Sequence, residues 1–222
     1  MSFTFNKKSK DVRPFVKIIG GEYNNNIVYI DTNITPNSNN FKFLKLEQNS
    51  NFQCIPDSSK EREIYYITAP SGSGKSYFVM QYVKEYQSKF KNNPIYLFSN
   101  VREDPTIDII KNLKRFKIDK SLVDDPLDIK DLENSCVIFD DCDTIVKKDI
   151  RQAVMGVLNS ILEEGRHYKI TCLITYHLPP NGHDTKRMLN EAQKFIYFPN
   201  SSSSKLEYVL PNYLDIDEKQ IK

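Results

Sequence analysis

Between Ile64 and Val83 the chain reads IYYIT, then APSGSGKS, then YFVMQYV. An apolar strand runs into a glycine-rich turn that opens a helix, which is the context a phosphate-binding loop requires. The turn, Ala69-Pro70-Ser71-Gly72-Ser73-Gly74-Lys75-Ser76, fits the pattern (A/G)xxxxGK(S/T) with Ala in first place. Glycines let successive backbone N–H groups point inward, and the positive end of the following helix adds to them, so a polyphosphate meets fixed dipoles. Lys75 then reaches the β and γ phosphates, the Ser76 hydroxyl coordinates magnesium, and Tyr77 belongs to the same binding set. ATP and Mg2+ are the expected ligands.

A second segment, Cys136-Val137-Ile138-Phe139-Asp140-Asp141, is a short apolar run ending in two carboxylates. Buried central strands of parallel sheets look like this. At the carboxyl edge of the sheet, where the phosphate loop also lies, Asp140 is expected to hold magnesium directly or through water. Asp141 is expected to orient and deprotonate the attacking water. A helix-capping role is the alternative for an isolated Asp pair. The paired carboxylates favour autonomous ATP hydrolysis over kinase or GTPase chemistry, and no guanine-reading NKxD segment is present. Asp143 is a weaker candidate that caps or supports the site.

From Ile64 onward, strand-like and helix-like runs alternate, which argues for βα units and a mainly parallel sheet with helices on both faces. The spacing predicts strands at Ile64 to Thr68, Ile95 to Phe98, Cys136 to Phe139, Ile170 to Thr175 and Phe195 to Phe198. Helices are expected at Lys75 to about Phe90, Thr106 to Phe116, Ile150 to about Glu164 and His183 to Ala192. Gly165 reads as a helix C-cap, while Pro179-Pro180 and Pro199 stop what precedes them. Residues Ser201 to Ser204 read as a flexible loop. Before residue 62 the pattern changes: FVKII, NIVYI and FKFLKL, separated by Gly20-Gly21 and Asn24-Asn25-Asn26, read as a β-rich N-terminal appendage of residues 1–61 on an ATPase core of residues 62–222.

Composition narrows the partners. Among 222 residues, a formal net charge of only +2 leaves any nucleic-acid contact to a local patch. Lys111, Lys114, Arg115, Lys117 and Lys120 form one candidate, with a solvated face as the alternative. Apolar residues at 39% and charged residues at 27% exclude the disordered class. No segment approaches the ~18 to 20 apolar residues of a membrane span. Cys54, Cys136, Cys142 and Cys172 lack metal-binding spacing and read as core thiols, which fits a reducing, intracellular setting.

The segment Glu164-Gly165-Arg166-His167-Tyr168-Lys169-Ile170, the strand TCLITYH, VIFDD, and Leu189-Asn190-Glu191 before FIYFP together resemble the FtsK-HerA superfamily of P-loop ATPases. The likeness is to the genome-packaging ATPases of poxviruses and giant DNA viruses, and it covers roughly residues 62 to 215. It implies an ASCE/RecA-like five-stranded sheet of order 5-1-4-3-2, and a homo-oligomeric ring, a hexamer or pentamer, that moves double-stranded DNA. Viral capsid proteins would be partners, in host cytoplasm or virion. It also places an arginine finger at Arg166, for which helix capping is the alternative and Arg187 and Arg102 are competitors. A polar sensor belongs where the strand after VIFDD ends, between Thr175 and His177. An AAA-like or switch ATPase acting on protein is the competing function, a P-loop kinase the next.

Overall fold

A computed structural model of the chain describes residues 2–5, 7, 12–31, 46–57, 59–177, 183–198 and 211. By compactness the chain divides into two units, residues 1–60 with 81–91, and residues 61–80 with 92–222.

In the first unit, β1 (Ser2–Thr4), β2 (Val12–Ile19), β3 (Ile27–Asp31) and β4 (Asn51–Cys54) form an antiparallel sheet of order β1-β3-β2-β4. Alternation along β2 turns Val16 and Ile18 inward to meet Val28, with Phe15, Tyr23, Leu46 and Cys54 around them. The β2–β3 connection needs left-handed backbone at Gly20, Gly21 and Asn25, with φ of 85, 67 and 67°. Residues 81–91 belong to this unit through a Lys17–Glu85 ion pair and a bond from Lys89 Nζ to the Pro56 carbonyl at 2.7 Å. Of FKFLKL, only Leu46 lies among the described residues, as do none of Pro179-Pro180, Pro199 and Ser201 to Ser204.

The second unit is built on β5 (Ile64–Thr68), β6 (Ile95–Ser99), β7 (Leu113–Phe116), β8 (Cys136–Asp140), β9 (Thr171–Tyr176) and β10 (Lys194–Tyr197). They form one parallel sheet of order β10-β5-β9-β8-β6-β7. Every residue of β5, β8 and β9 is buried, because both faces of these strands are covered. The unit's helices are the first residues, up to 80, of α1 (Lys75–Lys89), whose remainder counts with the first unit, and α2 (Ser121–Asp124), α3 (Lys148–Glu164) and α4 (His183–Glu191). On α3, Ile150, Val154, Met155, Leu158, Ile161 and Leu162 recur at helical spacing and join the core of Val137, Phe139, Cys172 and Ile174. Each such side chain contributes roughly 1.5–3 kcal/mol on burial.

Two expectations are corrected. Among the described residues the sheet has six strands, not five, and the helix expected over Thr106 to Phe116 is a single turn followed by β7. Its start signal is real: Asp104 Oδ1 accepts from the amides of Thr106 at 2.7 Å and Ile107 at 3.1 Å, as a helix N-cap would. The turn ends at Asn112, whose φ is 58°. Extending the next four residues lets Phe116 stack on Phe98 at 4.6 Å, which stacks on Phe139 at 4.9 Å. Those three rings share one register row with Ile174, Tyr66 and Phe195, so a single row crosses all six strands. Tertiary stacking overrides local helix propensity.

Candidate functional site

The phosphate loop leaves β5 at Ala69, whose amide donates to the Tyr176 carbonyl at 3.2 Å, so the loop is pinned to the end of β9. Gly72 and Gly74 have φ of 76 and 100°, which is the reason for glycine there, since an added Cβ would meet no close neighbour at either. Lys75 is 6% exposed, and its ammonium donates to the carbonyls of Ala69 at 2.9 Å and Pro70 at 3.3 Å. The loop thus curls around its own lysine. Tyr77, one residue past Ser76, is 59% exposed.

Asp140 ends β8 in register with Ser99 of β6 and Thr175 of β9. Thr175 Oγ1 donates to Asp140 Oδ1 at 2.7 Å, and Ser99 Oγ donates to Oδ2 at 3.0 Å. Only 3% of Asp140 is exposed, and two hydroxyls compensate its buried charge. Thr175 Oγ1 also accepts from the Asp141 amide at 3.3 Å, fixing the turn that follows. That turn is left-handed at Asp141, with φ of 48°, and swings its carboxylate toward the phosphate loop.

The two carboxylates therefore differ. Asp140 is buried beneath the site, whereas Asp141 stands on the wall of a cleft of about 350 Å3, opposite Ser71, Gly72, Lys75 and Ser76. His177 shares that wall, its Nδ1 3.2 Å from Asp141 Oδ1. Burial, then the Asp140 charge beside it, pushes the Asp141 carboxyl up to about 6, against the opposing pull of Lys75 and His177. Oδ1 of Asp143 is buried without a hydrogen-bond partner, and Oδ1 of Asp141 has only the His177 contact. Asp141, Asp143 and His177 offer ligand atoms within 4.8 Å of one another. A buried carboxylate oxygen left unpaired, beside a second carboxylate and an imidazole, suits a divalent cation. Burial raises the thiols of Cys136, Cys142 and Cys172, leaving protonated core groups.

Some residues of this site had no motif to announce them. Asp104 and Thr106, in the turn after β6, close the cleft on its far side. Ser99 joins through strand register alone. The sequence predicts a helix from Thr106 and gives no sign of the cleft that this turn lines.

Other candidates lie apart from it. Arg166 sits in the turn before β9, where the amides of Asn134 and Thr171 bond to Tyr168 and Ser135 carbonyls at the amino end of β8. Six strand residues, roughly 17–20 Å, separate it from the edge that carries Asp141. Helix capping there falls to another arginine: Arg62 donates to the carbonyls of Ile161 at 2.6 Å and Leu162 at 3.1 Å, at the C-terminal end of α3. Gly165 does end α3, in right-handed conformation with φ of −57°, because a Cβ would sit 2.4 Å from the Ile161 carbonyl oxygen. Arg187 pairs with Glu163 at 3.0 Å, and Arg102 is exposed beyond β6. Of the basic stretch, Arg115 is held by Asp108 and the Val101 carbonyl, and Lys114 lies over the Tyr96 ring at 5.4 Å.

The uncharacterized protein V3 of Sputnik virophage is 34% identical to this chain over 225 residues, 98% of the chain and 87% of V3. The chain belongs to the V3 family. No protein-family model matches it. Among solved structures, the pCW3 conjugation coupling protein TcpA with ATPγS superposes with a TM-score of 0.50 at 16% identity, covering 90% of this chain and 70% of TcpA. The genome packaging NTPase B204 of Sulfolobus turreted icosahedral virus 2, in complex with AMPPCP, gives 0.49 at 14% identity, covering 73% and 88%. This V3-family chain has a P-loop NTPase fold and resembles the FtsK-HerA ATPases through the motifs above. No helix among the described residues is long and apolar enough to cross a membrane.

Proposed function

We propose that this chain is a Mg2+-dependent ATPase and the subunit of a ring motor that moves double-stranded DNA, in the setting of viral genome packaging. The observation that carries the reading is one cleft in which Lys75 and Ser76 face Asp141. Lys75 would reach the β and γ phosphates from its two loop carbonyls, and Ser76 on the cleft wall, with Asp140 acting through water from beneath it, would hold the magnesium, which would neutralise charge on the phosphates. Asp141, with its raised affinity for a proton, takes one from the attacking water. His177 or Thr175 senses the phosphate, the first from the cleft wall, the second through Asp140 and the Asp141 amide. Arg166 reaches a neighbouring subunit's nucleotide, which its distance from its own loop and its freedom from capping duty both support.

A DNA contact is supported by a groove of about 490 Å3 along α3, where Lys148, Arg151 and Gln152 supply donors and no carboxylate lines the walls. Relationship to a virophage protein supports the viral setting, with assembly in host cytoplasm or virion and capsid proteins as partners. Steady-state ATP turnover with and without duplex DNA, beside native mass spectrometry, tests the whole reading. Turnover stimulated by duplex and a ring-sized mass are expected. Turnover indifferent to DNA would point to a protein substrate, and no turnover at all would overturn the ATPase.

A further inference from the structure

Thr106 belongs to the turn between β6 and β7, and it lines the cleft with Lys75, Ser76, Asp141 and His177. Neither the phosphate-loop motif nor the acidic pair predicts a residue there. Its position follows from the strand order β5-β9-β8-β6. Crossing the carboxyl edge from the phosphate loop, one meets His177 after β9, Asp141 after β8, and then Asp104 and Thr106 after β6. A phosphate chain anchored on the loop with its terminal group beside Asp141 therefore presents that group, and not its inner phosphates, to Thr106.

The turn is built to hold this side chain still. Asp104 Oδ1 accepts from the Thr106 and Ile107 amides, and Asp104 N donates to Asp108 Oδ2 at 2.8 Å. Asp108 N returns a bond to the Asp104 carbonyl at 2.8 Å. Arg115 of β7 then clamps the turn, through Asp108 and through the Val101 carbonyl at 2.8 Å. With Asp104 Oδ1 engaged by backbone amides, the side-chain donor that this turn brings to the cleft is the Thr106 hydroxyl, which has no partner among the described residues. The geometry points to Thr106 as the residue that distinguishes a nucleoside triphosphate from a diphosphate, by donating its hydroxyl to the terminal phosphate.

This inference rests on the ATPase reading, and a binding experiment separates the two. Affinities of the full chain for ATPγS and for ADP, each with Mg2+, are measured by calorimetry for wild type, Thr106→Ala and Thr106→Ser. A hydrogen bond to a charged phosphate oxygen makes Thr106→Ala lose about tenfold or more in ATPγS affinity. ADP affinity is expected to stay within about twofold, and Thr106→Ser to recover most of the loss. Equal losses for both nucleotides would mark a merely structural residue and overturn the inference, as would unchanged affinity for both. Wild type binding neither nucleotide would instead overturn the ATPase reading, and this inference with it.

Discussion

Asp140 accepts one hydroxyl hydrogen on each oxygen, from Thr175 and from Ser99, and each of these hydroxyls holds a backbone amide as well. Thr175 Oγ1 accepts from the Asp141 amide, and Ser99 Oγ accepts from the Val101 amide at 3.2 Å. Thr175→Val should leave a buried carboxylate oxygen short of a partner while the Asp141 amide keeps the Thr175 carbonyl at 3.1 Å, whereas Ser99→Ala takes a partner from Asp140 Oδ2 and from the Val101 amide together. A loss of about 1–3 kcal/mol in urea unfolding is expected for Thr175→Val, with Ser99→Ala costing at least as much. Asp141 behaves differently, because it is strained toward protonation. Its carboxyl is pushed from 3.8 to about 6, so the stability of its neutral form is complete below pH 3.8 and is lost as pH rises through about 6. Asp141→Asn removes that loss and tolerates the left-handed backbone. The variant should be more stable than wild type by about 1–2 kcal/mol at pH 8 and no more stable at pH 4, read by thermal melts at the two pH values. Its ATP turnover should fall by ~100-fold or more while nucleotide binding persists. Lys75→Ala should lose both binding and turnover with the fold intact, checked by calorimetry and circular dichroism.

Among the elements, α3 shows how a helix end fixes its surroundings. Arg62 occupies the last carbonyls, and Gly165 leaves room for it: an added Cβ would come within 2.4 Å of the Ile161 oxygen and 2.9 Å of Arg62 Nη1. Gly165→Ala should thus cost about 2–4 kcal/mol in denaturant unfolding, far more than a solvent-facing substitution. What could be read from sequence follows the same local logic. The β5-loop-α1 unit and the β8 strand with its acidic end were legible, because their signals lie within a few consecutive residues. Gly165 was legible as a helix end, although for crowding and not for a left-handed turn. The stretch from Thr106 to Phe116 was misread. Its Asp-Pro-Thr start is genuine helix chemistry, and what stops it is Phe116 stacking on Phe98 of another strand. Register hid the Ser99–Asp140–Thr175 row in the same way, since residues 41 and 35 positions apart carry no joint pattern.

At the scale of the whole molecule, and of the assembly it would form, the separation of Arg166 from its own cleft gives a mixing test. An Arg166→Ala subunit retains Lys75 and Asp141, and a Lys75→Ala subunit retains Arg166. Each alone should be inactive, and co-assembly confirmed by native mass spectrometry should restore part of the ATP turnover. Mixed oligomers without recovery would refute a finger acting between subunits. The sheet itself has a further consequence, best put in the language of gauges. The phosphate loop springs from β5 and the acidic pair from β8, with β9 as the shim between them. Their opening is thereby set at two ladder widths, about 9.5 Å, by backbone alone. Substituting the jaws changes the grip and leaves the calibration untouched; the twist of the sheet is the adjusting screw.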